Sequence, residues 1–337
     1  MPTYESVRLI NTVLTLYYVE ELTQAEIAHR LSLSTAKVNR LLQQARELGY
    51  VNISIRTPFQ QLFEIEARLK AVFGLQEAIV IPAVGDTSRS LLNALGTVAA
   101  SFLLERLRDG DVLAISPGTT VQAVVQSIET TRSYQVEVVP ILGAIQGPIE
   151  SDMNYLATDL ADRVGGRSYQ LHAPAFVETR EHCELLRSMS PVKDILDIAR
   201  HANLAILGIG TVDAEVSRFV QFTALSAADL KHIAEDCGGV GEIGAYVYDI
   251  EGRPCGKEYA DRVIGLTLAE IQKIPYRIGV AASAAKALPI YGALRGGYLH
   301  ALITDEAAAC GVLGLFDESF RKTHNGLENQ HAFRTAA

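Results

Sequence analysis

Residues 22–50 carry the pattern that most narrows the fold of this chain. The stretch reads LTQAEIAHRLSLSTAKVNRLLQQARELGY, and its apolar residues recur at helical spacing in two short runs. Thr23 precedes the first run and Glu26 follows three residues later, which is the capping-box pattern of a helix N-terminus. Ser34 stands in the capping position before the second run. The pattern predicts two short helices joined by the turn at residues 32–34.

The second predicted helix has an apolar face and a polar face. The apolar face is formed by Val38, Leu41, Leu42 and Ala45. On the polar face, Arg and Asn suit the edges of guanine and adenine in the major groove, and Lys and Thr suit phosphates. A helical hairpin with a solvated outer face has the same periodicity, but the cap, the turn and the polar residues together favour a DNA-binding helix-turn-helix. The candidate DNA contacts are Gln24, Ser34, Thr35, Lys37, Asn39 and Arg40.

The segments on either side extend this hairpin to a small domain. Residues 4–19 carry apolar residues at helical spacing and predict a first helix that packs under the hairpin. Gly49 is placed to end the last helix, and residues 51–56 alternate as a short wing strand does. We therefore predict a winged helix-turn-helix domain at residues 1–57.

Residues 59–73, FQQLFEIEARLKAVF, have the pattern of an amphipathic helix after Pro58. An apolar stripe at this place suits packing on the rest of the chain and suits contact with a second copy equally well. The sequence leaves both alternatives open, and we assign residues 58–75 as a linker or dimerisation helix.

The composition is that of an ordinary globular protein, with 337 residues, 48% hydrophobic and 20% charged. No apolar run reaches the roughly 18 residues that span a bilayer. The start MPTYESVRL lacks a basic segment followed by an apolar block, and the four cysteines are scattered without zinc or disulfide spacing. We expect a cytoplasmic protein with no metal, no cofactor and no membrane partner.

The net charge of −9 is distributed unevenly along the chain. Residues 1–70 hold eight Lys/Arg and seven Asp/Glu, whereas the remaining residues hold 22 basic and 32 acidic side chains. An acidic body repels DNA that is bound without specificity. Affinity for DNA is therefore expected to come from the recognition surface and to be increased by oligomerisation.

Beyond Gly74, short apolar strands alternate with helices, which predicts a largely parallel sheet covered on both faces. We place this α/β domain at residues 76–318 and expect a mobile tail at residues 319–337. The predicted strands lie at residues 78–81, 111–115, 136–142, 204–207, 245–248, 277–281 and 299–304.

Open α/β sheets bind ligands in loops at the carboxyl ends of their strands, and three loops here carry suitable residues. Gly118, Thr119 and Thr120 lie between a strand and a helix, where they form either an anion seat or a plain turn with a threonine cap. Glu242 before a predicted strand and Asp249 at its end can accept hydrogen bonds from sugar hydroxyls. Asp249 fits a hairpin turn equally well.

Lys286 is the candidate in the third loop, near the start of a helix of small residues. Its ammonium group can bind a phosphate or form an imine there, although a lysine at a helix start is often a solvated surface charge. These candidates form one site only if the three loops converge, which the predicted topology permits.

Five blocks of this sequence resemble bacterial transcriptional regulators of the SorC type. The resemblance covers residues 6–315 and implies a winged helix-turn-helix followed by a Rossmann-like α/β effector domain related to ribose-5-phosphate isomerase and glucosamine-6-phosphate deaminase. It also implies a tetramer on operator DNA, built as a pair of dimers, with a phosphorylated sugar as effector. The blocks are the helix-turn-helix stretch, GTT at 118–120, GIG at 208–210, GEIGAYVYDIEG at 241–252 and KALPIYGALRGGYLHALITDEAAA at 286–309.

The resemblance also implies roles for the pocket residues. Thr119 and Thr120 match a pair that grips phosphate in the family, and Lys286 matches a lysine that contacts the effector. Glu242 and Asp249 match acidic positions on the pocket wall.

Two departures from the family pattern bear on the effector. Residues 281–283 read Ala-Ala-Ser where the family usually has a glycine pair. We therefore expect the entrance of the pocket to be narrower than in the family. Residues 143–147 lack an arginine that binds a second phosphate in some relatives, and Asp152 and Asn154 occupy the polar positions that follow. These departures favour a monophosphate or an unphosphorylated polyol over a bisphosphate.

The sequence therefore predicts a DNA-binding transcriptional regulator, of a carbohydrate-catabolism operon, that is controlled by a sugar phosphate or polyol. One rival is a sugar-phosphate isomerase or deaminase with a DNA-binding appendage. Residues 208–213, GIGTVD, hold one carboxylate where the related isomerases carry a dense acidic motif, so we assign no catalytic residue. Another rival is a DNA-binding scaffold whose pocket binds nothing.

Overall fold

The computed structural model describes residues 3–51, 57–83, 88–145, 152–213, 217 and 225–319. The chain divides into two compact units, Met1–Pro58 and Phe59–Ala337. Most of the predicted wing (52–56) and almost all of the predicted tail (320–337) lie outside the described residues.

The first unit is built from three capped helices around one apolar core. Thr3, Thr23 and Ser34 cap them through hydrogen bonds from backbone N–H groups, and Glu26 completes a capping box with Thr23. The helices are α1 (Tyr4–Leu14), which continues as a π-helical turn (Thr15–Val19), α2 (Gln24–Arg30) and α3 (Thr35–Glu47). The core consists of Ile10, Val13, Leu16, Ile27, Ala28, Val38, Leu41, Leu42 and Ala45. The predicted helix-turn-helix is confirmed.

The turn between α2 and α3 is closed without a glycine. Ser32 has a φ of +52°, and the Leu33 N–H donates to the Ala28 carbonyl at 2.8 Å. This hydrogen bond is typical of a helix C-terminus that ends at a residue with left-handed backbone conformation, and that residue is usually glycine. Holding Ser32 there costs about 1 kcal/mol, which the surrounding packing must offset.

Ten strands and eleven α-helices lie in the described part of the second unit. The strands are β1 (Glu77–Ile81), β2 (Val112–Ile115), β3 (Glu137–Pro140), β4 (Arg167–Ser168), β5 (Leu204–Gly208), β6 (Gly210–Thr211), β7 (Gly239–Ile243), β8 (Tyr246–Asp249), β9 (Tyr276–Val280) and β10 (Ala301–Asp305). The helices are α4 (Gln60–Phe73), α5 (Ser88–Arg106), α6 (Thr119–Gln126), α7 (Met153–Val164), α8 (Arg180–Ser188), α9 (Ser190–Arg200), α10 (Ala227–Glu235), α11 (Lys257–Ala260), α12 (Leu268–Ile271), α13 (Ala287–Arg295) and α14 (306–319).

A seven-stranded sheet of order β1-β10-β9-β5-β2-β3-β4 forms the centre of this unit, and every pairing in it is parallel. Strands β5 and β10 are buried along their whole length, as expected for continuous apolar runs in a parallel sheet. Helices α4, α5, α6, α7 and α9 contact its strands. The predicted α/β class is confirmed.

A separate three-stranded antiparallel sheet, β6-β7-β8, corrects one prediction. Glu242 lies within β7 rather than before a strand. The sequence does not predict β7, because Gly239 and Gly241 interrupt its apolar pattern and glycine has low strand propensity. The hairpin turns at Gly244 and Ala245, which have φ values of +57° and +69°.

The amphipathic helix α4 packs on the second unit with one side and exposes aromatic rings at its start. Leu62 and Leu69 are buried in the core. The Phe73 ring lies edge to face with the rings of Tyr291 and Phe316, at centroid distances of 5.9 and 5.8 Å. The exposed set at the start of the helix consists of Phe59 (63% exposed) and Phe63 (50% exposed).

Candidate functional site

The polar residues of α3 lie on the exposed side of the first unit. Ser34 accepts the Lys37 N–H at 3.2 Å, which caps the helix and leaves the serine hydroxyl proton available to a phosphate. Gln24, at the first position of α2, is half-buried. The exposed residues at the start of α3 are Thr35, Lys37, Asn39 and Arg40. The helix N-terminus, with its unpaired N–H groups, adds a partial positive charge to this surface.

A cavity of about 160 Å³ opens in the second unit where strands β2, β3, β5 and β9 end. The loops that carry Thr119 and Lys286 meet here, because the carboxyl ends of parallel strands lie on one edge of a sheet. The antiparallel hairpin β7-β8 brings Glu242 to the same place. The predicted residues that line the cavity are Gly118, Thr119, Thr120, Glu242 and Lys286.

The loop after β2 forms one wall of the cavity. Gly118 adopts φ +129° before α6, a conformation that L side chains rarely take. The Thr120 hydroxyl donates to the Val280 carbonyl at 3.1 Å and so ties this loop to the end of β9. Gly208 supports the loop from β5, since a Cβ there would lie 2.9 Å from the Pro117 carbonyl oxygen. The start of α6 therefore lies beside the cavity, at the place where the sequence predicts an anion seat.

Glu242 and Lys286 place two opposite charges in the same cavity. Burial raises the pKa of Glu242, an effect that the Ala245 N–H and the Lys286 ammonium oppose. Burial lowers the pKa of Lys286, and the Glu242 carboxylate opposes that shift. Both shifts favour the neutral forms, so each charge is poorly solvated in the absence of a ligand.

The hairpin β7-β8 and the neighbouring strand β6 hold the Glu242 carboxylate. Its Oε2 accepts the Ala245 N–H at 3.0 Å. Gly210 pairs with Glu242 across the sheet, and a Cβ on Gly210 would lie 1.7 Å from Oε1. Ala245 keeps a φ of +69°, a left-handed conformation that is costly for alanine and that recurs at binding sites.

Three predicted effector contacts do not line the cavity and have local hydrogen-bond partners instead. Asp249 accepts the N–H groups of Glu251 and Arg253 and the Nε of Arg253, which closes the turn after β8. Asp152 caps α7, and Asn154 bonds both ways to the backbone of Leu171. The hairpin-turn alternative for Asp249 describes its place in this structure.

Residues 281–283 precede Lys286 at the edge of the cavity and read Ala-Ala-Ser in place of the family's glycine pair. Ser283 has a φ of +90°, which is a glycine-like conformation, and its N–H donates to the buried Asp305 carboxylate at 2.8 Å. The serine therefore adopts a backbone shape that its own side chain disfavours, and the Asp305 hydrogen bond supports it.

Sequence reasoning missed the apolar residues that line the cavity and the lining segment that begins at Gly208. Leu142, Ile145, Ala175 and Phe176 form the apolar wall, and Gly208, Ile209, Gly210, Thr211 and Ala245 also line the cavity. The GIG at 208–210 was recognised as a block of the sequence but not as a lining segment. Its position directly after a buried strand was the signal that could have placed it there.

Within the described residues, no group of three or more His, Cys, Asp or Glu side chains could hold a metal ion. None of the helices in these ranges is long and apolar enough to cross a membrane.

Known proteins match both units of this chain. Residues 57–314 match the family described as "Putative sugar-binding domain", and residues 11–48 match sigma-70 region 4. The chain is 30% identical to the transcriptional regulator LsrR of Klebsiella pneumoniae, over 91% of this chain and 93% of that protein. It is also 30% identical to the deoxyribonucleoside regulator of Bacillus subtilis, over 87% of this chain and 93% of that protein.

A solved structure matches across both units. The crystal structure of the full-length sorbitol operon regulator SorC from Klebsiella pneumoniae superposes with a TM-score of 0.68 at 26% sequence identity. It covers 92% of this chain and 99% of that chain. These relatives are regulators rather than enzymes, which disfavours the isomerase or deaminase alternative.

Proposed function

The chain belongs to the SorC family of sugar-binding transcriptional regulators, and on that premise we propose that a sugar phosphate or polyol in the cavity controls its binding to operator DNA. The observation that carries the proposal is the meeting of the α6 anion seat with Glu242 and Lys286 in one cavity. A carbohydrate-catabolism operon is the proposed target.

The lining of the cavity indicates how such an effector would be held. A phosphate would accept hydrogen bonds from the N–H groups at Thr119 and Thr120 and would neutralise the poorly solvated Lys286 ammonium. Glu242 would accept hydroxyl protons of the sugar, while the apolar wall contacts its carbon skeleton. Residues 143–147 contain no arginine for a second phosphate, which supports a monophosphate over a bisphosphate.

The first unit is proposed to bind operator DNA through the start of α3. Arg40 and Asn39 are the proposed base contacts, and Thr35, Lys37, Ser34 and Gln24 would bind phosphates or anchor the helix in the groove. Coupling requires that the effector bind two quaternary states with different affinity.

The exposed start of α4 is proposed as a contact with a second copy, in a dimer or tetramer. Phe59 and Phe63 expose large apolar area beside the buried residues of the same helix. A Phe63→Ser substitution should therefore weaken self-association, because it removes apolar surface that a partner would bury. Sedimentation velocity measures this. Tyr155→Ser, which removes a 42%-exposed ring on α7, is the matched control; equal oligomerisation of both variants and the wild type would contradict the assignment.

A thermal-shift screen with phosphorylated sugars, polyols and inorganic phosphate tests the effector proposal. A ligand at 100 times its dissociation constant should stabilise the protein by about 2.7 kcal/mol. Lys286→Met should lose the response to phosphates, because it removes the ammonium and keeps the aliphatic stem, whereas Lys193→Met on α9 should retain it. Absence of any response in the wild type would instead favour a scaffold with an empty pocket.

A further inference from the structure

We propose that helix α13 couples the cavity to helix α4 through the contact between Tyr291 and Phe73. The inference rests on the proposed function, because it describes how occupancy of that cavity would reach the rest of the molecule. Tyr291 and Phe73 would act as positioning residues, since neither is among the residues that line the cavity.

The first turn of α13 is attached to both charges of the cavity. Lys286 directly precedes the helix. The strand that carries Glu242 contacts the same turn, since a Cβ on Gly241 would lie 2.9 Å from the Pro289 Cβ. The Tyr248 hydroxyl of β8 donates to the Pro289 carbonyl at 3.0 Å. A ligand that changes the spacing of Glu242 and Lys286 therefore acts on the start of α13 from two sides.

Helix α13 is packed too closely to bend independently of its neighbours. A Cβ on Gly292 would lie 2.9 Å from the Asp249 carbonyl oxygen, so the helix touches β8 at backbone distance. A Cβ on Gly311 of α14 would lie 2.6 Å from the Ala287 Cβ. In an interior at this density, a displacement of the first turn moves the whole nine-residue helix.

Tyr291 carries such a displacement to α4. Its ring is 2% exposed and lies edge to face with Phe73 at an interplanar angle of 87°. Phe73 is the last residue of α4, and Leu69 one turn earlier is fully buried. The chain enters α4 directly from the first unit, whose boundary lies at Pro58.

The Tyr291 hydroxyl does not take part in this ring contact. Among the described residues it is buried without a hydrogen-bond partner. A buried hydroxyl that lacks a partner costs free energy. The proposed coupling depends on the contact between the two rings, and the hydroxyl can be removed without losing that contact.

Hydrogen exchange on the full chain tests the coupling without knowledge of the effector. Lys286→Met perturbs the start of α13, and exchange at residues 69–73 of α4 should then change by about threefold or more. In the background of Phe73→Leu the same perturbation should leave α4 unchanged. Phe316→Leu is the matched control, because it removes the other edge contact of Phe73 at 5.8 Å and changes neither Phe73 nor Tyr291.

Three results would overturn the proposal. The first is altered exchange in α13 with wild-type exchange at residues 69–73. The second is coupling that survives Phe73→Leu, and the third is coupling that Phe316→Leu abolishes as completely as Phe73→Leu does. Tyr291→Phe keeps the ring and removes the unpaired hydroxyl, so it should fold, melt at a higher temperature and retain the coupling.

A parallel measurement with inorganic phosphate separates this proposal from the proposed function. Phosphate should alter exchange in α13 and α4 of the wild type but not of Lys286→Met. If phosphate alters neither exchange nor the melting temperature, the anion seat is wrong, while the substitution experiment still decides whether α13 is coupled to α4.

Discussion

The two units present their candidate functional residues in opposite ways. In the first, these residues fall between Gln24 and Arg40 on two neighbouring helices, and those at the start of α3 are exposed. In the second, five of them line one cavity although they lie between Gly118 and Lys286 in the chain. The parallel strands bring the loops at Gly118 and Lys286 to one edge of the sheet, and the antiparallel sheet β6-β7-β8 adds Glu242. A surface for a polyanion can keep its charges hydrated, whereas a cavity for a small ligand must hold charges that burial disfavours. Substitutions of the exposed residues in the first unit should therefore change DNA affinity without changing stability. Substitutions of the buried residues in the second unit should change both ligand affinity and stability.

The largest expected effect is the loss of specific DNA binding in Arg40→Ala. Removing a base contact should cost about 1–3 kcal/mol per half-site, and more in an oligomer that binds two half-sites. The melting temperature should stay at the wild-type value, because the side chain is exposed. Fluorescence anisotropy on an operator fragment selected from genomic DNA measures the affinity.

Arg30→Ala is the matched control for this substitution. Arg30 is also exposed, lies at the end of α2 rather than on α3, and pairs with Glu20 at 2.8 Å. Arg30→Ala removes one positive charge, as Arg40→Ala does, so its effect on affinity measures the non-specific electrostatic contribution. An unchanged footprint for Arg40→Ala would refute the assignment of α3 as the recognition helix.

A smaller effect should distinguish the two threonines of the anion seat. Thr119→Val keeps the backbone N–H and removes a hydroxyl that lines the cavity, where it can donate to the phosphate. It should therefore weaken binding of a phosphorylated ligand about tenfold with little change in stability, as expected for one lost hydrogen bond to a charged group. Thr120→Val should instead lower stability by about 1 kcal/mol, because its hydroxyl bonds to the Val280 carbonyl. Calorimetric titration and thermal melting separate the two effects; a reversed pattern would show that Thr120 is the ligand contact.

The smallest effect concerns the pH dependence of stability at Glu242. Burial raises the pKa of this carboxyl above its ordinary value of 4.5. The stability that the raised pKa contributes is fully present below pH 4.5 and is lost as the pH rises through the folded-state pKa. Glu242→Gln lacks the titrating carboxyl and therefore does not lose this stability, so its melting temperature relative to wild type should increase as the pH rises above 4.5.

In Glu242→Gln, the titration of Lys286 also raises the stability relative to wild type as the pH increases. Without the carboxylate, its already lowered pKa should fall further, and the variant gains stability as the lysine loses its proton with rising pH. Glu235→Gln, an exposed change on α10, should show no such trend. A difference between Glu242→Gln and wild type that stays flat with pH would contradict the raised pKa.

The sequence by itself determined the features that depend on neighbouring residues. The hydroxyl caps Thr23 and Ser34, the apolar face of α3 and the alternation of strands with helices were all readable, because caps and periodicity are local properties. The loops that carry Thr119 and Lys286 were placed correctly at strand ends for the same reason.

Only the tertiary structure decided which polar groups share the cavity. Glu242 reaches it because Gly210 leaves room on the adjacent strand and Ala245 donates from the hairpin turn. Asp249 carries the same charge on the same hairpin, yet its carboxylate closes a turn with Arg253. These outcomes depend on contacts between residues far apart in the chain, and neither residue type nor spacing determines where a carboxylate finds its hydrogen-bond donors.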